Sequence, residues 1–180
     1  MVTNKDYNLP QVLIPRIYYV GVFDYNKLIS TIATWFNEEG YEFHEQVFKH
    51  KVPSPDGSEQ EFTFRGWRKY TEYLQIWISV KGHVYELKEI EALVDGEKQT
   101  LAKGRLELLF SFEIWLDFNN KFQSPMEIQL QNFLHNYVWK KKIEGGYEDM
   151  AYYAMYRLHH TMKKVLKMST PSHAAEIRGY

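Results

Sequence analysis

The chain has 180 residues, 22 Lys plus Arg against 23 Asp plus Glu, no cysteine, and an aromatic fraction of 17%. A chain of this size builds one self-sufficient core and is small for two. The near-neutral charge removes the footprint of a strongly basic nucleic-acid binder, and the lack of cysteine excludes disulfide scaffolds, thiolate metal centres and thiol nucleophiles. A single domain over 1–180 is expected, with 1–15 and 169–180 as tails. The first ten residues, MVTNKDYNLP, lack the apolar stretch of a secretory signal, and the longest unbroken apolar run, Met150 to Tyr156, is far short of a membrane span. The expected location is cytoplasmic.

The β-branched and aromatic run Arg16 to Phe23 reads as a strand, and Asp24 can cap the helix that follows. In that helix Tyr25, Leu28, Ile29, Ile32, Ala33 and Phe36 recur at helical spacing, and Gly40 stops it. From Tyr41 the period falls to two, with Tyr41, Phe43 and Val47 on one face. Val52 to Ser58 turns the chain in a loop of about six residues, and Phe62 and Phe64 resume the alternation.

The centre of the chain carries more information. Leu74, Ile76, Ile78 and Val80 are apolar at even positions, whereas His83, Tyr85 and Leu87 continue at odd ones, so the period slips near Lys81-Gly82. A β-bulge at Gly82 accounts for that slip. Asp95-Gly96 signals a two-residue hairpin that sets Val94 opposite Glu97. Counting back, Glu86 faces Arg105, Tyr85 faces Leu106 and His83 faces Leu108. Beyond the bulge, Val80 meets Phe110, Ile78 meets Phe112, Ile76 meets Ile114 and Leu74 meets Leu116. Arms of about 23 residues would reach roughly 75 Å if straight, so the ribbon must bend.

Ser124 caps and Pro125 opens a helix with Met126, Leu130, Phe133, Leu134, Tyr137 and Val138 as its apolar stripe, and Gly145-Gly146 breaks it. The last helix, about Tyr147 to Met168, buries Tyr147, Met150, Ala151, Ala154, Leu158, Met162 and Val165. The fold class is α+β: strand, helix, four strands, two helices. A curved antiparallel β-sheet of about five to six strands packs against a long C-terminal helix. This outline resembles the helix-grip folds, among them START-like and polyketide-cyclase-like domains, and that resemblance implies an enclosed apolar ligand. Those domains carry two short helices after the first strand and one long helix at the end, where one and two are read in this chain. The stretches Lys49 to Gly57 (KHKVPSPDG) and Arg68 to Tyr73 (RKYTEY) resemble uncharacterised archaeal proteins, which implies no activity.

The search for chemistry finds little. His44 and His50 share a strand face about 20 Å apart, too far to hold one ion, and His159 and His160 point about 100° apart on a helix. No metal site or cofactor is assigned. Neither a GxSxG elbow nor a phosphate-binding loop occurs, and Glu107, Glu113 and Asp117 read as a charged outer face. His83, placed on the apolar face, reads as a core histidine bonded to a carbonyl or tyrosine, or as the polar contact of a cavity.

On the outer face the same register sets Tyr73 opposite Asp117, Gln75 opposite Trp115 and Trp77 opposite Glu113, so Trp77 and Trp115 are diagonal neighbours. Such a face is covered by one of the chain's own helices or binds something, because Trp and Tyr anchor interfaces. Lys140, Lys141, Lys142, Lys163, Lys164 and Lys167 form a second feature, in a region with an excess of four positive charges. They read as solvated helix ends or as a surface for RNA or anionic lipid headgroups. The expected function is a non-catalytic binding or protein-interaction domain that uses the aromatic sheet face, with a protein partner or a homodimer. The alternative is a carrier or enzyme enclosing an apolar small molecule between the sheet and the last helix, with His83 as its polar contact.

Overall fold

The computed structural model describes residues 15–54, 57–94, 97–139 and 143–168. Side chains are described over the same ranges except at 50–54, 94, 97, 139, 143 and 144. Strand β1 (Arg16–Phe23) leads into helix α1 (Tyr25–Glu38), whose first turn is closed by Asp24 accepting from Lys27 N–H at 2.8 Å. Strands β2 (Glu42–Ser54), β3 (Gly57–Lys69), β4 (Leu74–Val94) and β5 (Glu97–Leu116) follow as an antiparallel meander. Helix α2 (Pro125–Leu134) runs into a π-helical turn at His135–Trp139, and a second π-helical turn at Ile143–Tyr147 leads into helix α3 (Glu148–Val165). The five strands make one sheet in the order β1-β5-β4-β3-β2. The α+β class and the curved antiparallel sheet with a long last helix are thus observed.

One face of the sheet carries the core. Phe62, Phe64, Ile76, Ile78, Val80, Val84, Leu106, Leu108 and Phe110 are at most 1% exposed there, beneath Leu28, Ile32 and Phe36 of α1 and Ala154, Leu158 and Met162 of α3. Burying a side chain of this size stabilises by about 1.5–3 kcal/mol relative to leaving it in water, so this layer is the main driving force for folding. Two glycines make room for core rings, one from α1 and one from β3. Cβ atoms at Gly66 and Gly82 would run into the rings of Phe36 and Phe62.

The pairing of Leu74 to Val80 with Phe110 to Leu116, and of Val94 with Glu97, is as expected. Asp95-Gly96 itself lies outside the described residues, as do 1–14 and 169–180 of the expected tails. The bulge is displaced. The β4–β5 register runs unbroken through Gly82↔Leu108, His83↔Glu107, Val84↔Leu106 and Tyr85↔Arg105, and slips between Tyr85 and Lys88. Glu86 sits at the slip with φ +53°. Gly82, Val84 and Leu87 are therefore the inner residues, and His83 and Tyr85 turn outward.

Other expectations are corrected as well. A bulge in β2 between Glu45 and Val47 puts Val47 on the outer face, across from Thr63. The expected six-residue loop is tighter, since Ser54 pairs with Gly57. Gly145-Gly146 lies in the π-helical turn that leads directly into α3. The α2 stripe is inverted: Met126, Leu130, Phe133 and Tyr137 are 51–81% exposed, and Gln131 is the buried residue of the helix. Met150 of the α3 stripe is likewise exposed, and Met155 is buried in its stead.

β3 ends its pairing with β4 at Ser58↔Leu87, and β1 ends its pairing with β5 at Phe23↔Ala102. From Ile90↔Leu101 to Val94↔Glu97 the β4–β5 hairpin therefore projects as two strands alone.

Candidate binding face of the sheet

The outer face presents one row of aromatic rings across its three central strands. Trp67 pairs directly with Trp77, and Gln75 pairs with Trp115, which sets Trp115 diagonally from Trp77. Ring centroids lie 6.2 Å apart for Trp67–Trp77 and 5.0 Å for Trp77–Trp115, each pair tilted by 38°. All three rings are half-buried. Each indole N–H has a neighbour as acceptor: Trp67 donates to His44 Nε2 at 3.0 Å, Trp77 to Gln75 Oε1 at 3.2 Å and Trp115 to Glu113 Oε2 at 2.9 Å. These bonds fix the ring orientations from the edge and leave the π faces to the cations around them.

Arg65 is the central cation. Its guanidinium carbon stands 4.6 Å from the Trp77 ring centroid, Nε donates to Ser79 Oγ at 3.1 Å and Nη2 to Glu113 Oε2 at 3.1 Å. Lys69 Nζ lies 5.7 Å from the Trp67 ring and 5.3 Å from that of Phe118. Cation–π contacts at such partly exposed sites contribute about 0.5–1 kcal/mol each, so this arrangement is worth little to the fold compared with the inner face. Two strands along, Arg105 lies over Tyr85 at 5.4 Å and pairs with Glu86 at 2.7 Å. The expected Glu86–Arg105 pair thus forms, although Tyr85 is the backbone neighbour of Arg105.

His83 belongs to this outer face. Its ring stacks on Tyr85 at 3.7 Å and 21°, with Nε2 3.5 Å from Glu59 Oε2 and 3.9 Å from Glu61 Oε1. It borders an open hollow of about 230 Å³ shared with Val47, Glu61, Thr63, Lys81 and Leu109. The expectation of His83 in the interior is corrected, because the bulge falls after it. Between the sheet and α3, where an enclosed ligand would sit, Leu108, Phe110, Leu158 and Met162 are each 0% exposed.

Tyr73 stands apart from the row. Its carbonyl accepts from Asp117 N–H at 2.7 Å, as the register required, but its hydroxyl is taken by Gln131 Nε2 of α2 at 3.1 Å and its ring by the edge of Phe122. Burial raises its pKa above the usual phenol value. Tyr73 is thus an anchor for α2. Trp67, Arg65 and Lys69 were missed from sequence. The signal for Trp67 is a tight β3–β4 turn: Tyr70 N–H donates to Leu74 C=O at 3.1 Å, and counting outward from that closure brings Trp67 to Trp77.

Lys140, Lys141 and Lys142 lie outside the described residues. Lys163 and Lys164 are in the last turn of α3, where the helix dipole favours cations, and Lys164 and Lys167 are exposed. Among the described residues no group of three His, Asp or Glu could hold a metal ion, and no helix is long and apolar enough to cross a membrane. Comparison with protein-family models, with curated proteins and with solved structures returns no match.

Proposed function

We propose that the protein is a non-catalytic binding domain whose outer sheet face, centred on Trp67, Trp77, Trp115 and Arg65, docks a protein partner. One observation carries the reading. A row of three indoles lies on the sheet face opposite α1 and α3, with Arg65 over its middle ring and charged residues around it. Trp and Arg at the centre with a charged rim is the composition of interface hot spots.

The Trp77→Ala variant tests the reading, since Trp77 is central to the row and its loss leaves the inner face intact. Wild type and variant are compared as baits in native extract, with Leu93→Ser as a surface control. A protein retained by wild type and control but reduced at least tenfold on the variant, at matched circular dichroism, supports the docking face. Identical retention by all three baits eliminates it.

A further inference from the structure

Among the described residues the sheet has two edge strands, β1 and β2, and the two are built differently. β2 carries register shifts at Glu45/Val47 and Lys51/Ser54, a proline at Pro53, and charges at Glu42, Glu45, Lys49 and Lys51. Bulges, proline and charge are the devices that keep an edge from recruiting another strand. β1 has neither a register shift nor a proline within its span. It pairs with β5 without a shift over all eight residues, and its single charge is Arg16 at the start.

The hydrogen-bond parity of β1 follows from one bond. Phe110 N–H donates to Pro15 C=O at 3.1 Å, and the register Arg16↔Leu109 makes Pro15 and Phe110 direct partners. In an antiparallel ladder alternate residues exchange both bonds with their partner, so Ile17, Tyr19, Gly21 and Phe23 turn their backbone groups to β5. Tyr18, Val20 and Val22 turn theirs to the open edge. Two of the edge-facing residues already have a backbone group engaged: the Tyr19 hydroxyl donates to Val22 C=O at 3.0 Å, using one of that oxygen's two lone pairs, and His159 bonds to the backbone of Arg16. These same three residues carry the exposed apolar side chains of the strand, at 54%, 62% and 40% exposure.

We propose that β1 is a self-pairing edge: two copies of the chain join β1 to β1, antiparallel, about a two-fold axis through Val20, so that the two sheets become one. The second copy is singled out by register. Pairing about Val20 sets Val20 against Val20 and Tyr18 against Val22 of the other copy. It matches outward-pointing backbone groups with outward-pointing groups and puts every apolar side chain of the row across from another. Shifting by two residues in either direction leaves Tyr18 or Val22 without an apolar neighbour. An axis perpendicular to the sheet keeps both outer faces on the same side, so the tryptophan rows of the two copies share one surface. The three side chains expose roughly 250 Å² per copy, and a contact of that size belongs to the weak, concentration-dependent class. The proposal is independent of what the tryptophan row binds.

Sedimentation velocity of the intact chain over rising concentration tests it. Wild type is expected to move from 21.6 kDa toward twice that mass. Val20→Lys and Val20→Glu place like charges together on the axis, so each alone is expected to stay monomeric, and an equimolar mixture to recover the dimer. Recovery in the mixture also shows that both variants fold. Because the chain has no cysteine, Val20→Cys introduces a unique thiol whose Cα would lie about 5.5 Å from its mate, within disulfide reach. Oxidation should cross-link Val20→Cys and leave Val22→Cys unlinked, since Val22 faces Tyr18 of the other copy. Wild type remaining at 21.6 kDa up to about 0.5 mM overturns the proposal. So does a dimer that survives both charge variants, equal cross-linking at Val20 and Val22, or a dimer abolished by Trp77→Ala, which would place the contact on the outer face.

Discussion

Phe62 fills the space above Gly82, its direct cross-strand partner on the inner face of the sheet. A methyl group at Gly82 would overlap the ring, and its backbone neighbours in β3 and β5 leave no room to shift. Gly82→Ala is therefore expected to destabilise by about 1–3 kcal/mol, the range for overpacking a close-packed core. Gly145 has open space around it, and Gly145→Ala should be neutral or slightly stabilising. Thermal denaturation of the two variants, read side by side, gives the contrast.

The bulge at Glu86 sets two small effects against each other. A non-glycine residue at φ +53° costs about 1–2 kcal/mol, whereas the exposed Glu86–Arg105 pair returns about 0–1 kcal/mol. Glu86→Gly should therefore raise stability slightly in spite of the lost ion pair, and Glu86→Val should lower it. A bulge at Gly82 would predict no gain at Glu86, so chemical denaturation of these variants also checks its position.

His159 gives the fold a pH dependence whose sign follows from its burial. Burial lowers its pKa below the ordinary histidine value, Lys163 and His160 add to this, and the bond to the Arg16 backbone opposes it. The ring meets Phe110 and Tyr156 edge-on. The unfolded chain then binds the proton more readily, so stability is fully present above about pH 6.5 and falls as pH drops through the folded-state value. In urea titrations at stepped pH the slope contributed by this residue should vanish in His159→Gln, which keeps a donor for the backbone.

Helix α2 is held by a polar contact. Gln131 donates to Tyr73 at 3.1 Å and approaches Asp117 Oδ2 at 3.5 Å, whereas Phe133 is 55% exposed. Gln131→Ala should cost about 1–3 kcal/mol locally and speed amide exchange over 125–134, while Phe133→Ser should leave stability within about 0.5 kcal/mol. Exchange mass spectrometry separates the two, and a larger loss from Phe133→Ser would show that the stripe is packed.

The strand pairings of Leu74 to Val80 with Phe110 to Leu116 were legible because the alternation there is strict on both arms. Between Val80 and Leu87 the pattern demands one extra residue but does not say where. Gly82 drew the bulge because glycine favours irregular backbone, yet it is needed for the Phe62 ring, which belongs to a third strand. Val84 was the discriminating residue, since an inner Val84 forces the slip past Tyr85. His83 was misplaced for the same reason, while Trp77 and Trp115 lie before the ambiguity and were placed correctly. The α2 stripe misled because helical periodicity identifies an apolar face without saying what covers it. Tertiary contacts through Gln131 decided the orientation, and no local pattern announces such a contact.

The β4–β5 projection beyond Lys88 has a consequence for how the molecule opens. With no third strand paired to it among the described residues, the arm from Ile90 to Leu101 rests on a two-stranded ladder, and an isolated two-stranded ribbon is marginal in water. Its rungs should unzip from the tip inward many times for each global unfolding event, so that its amides relax on a far shorter clock than those of Leu108 to Phe112.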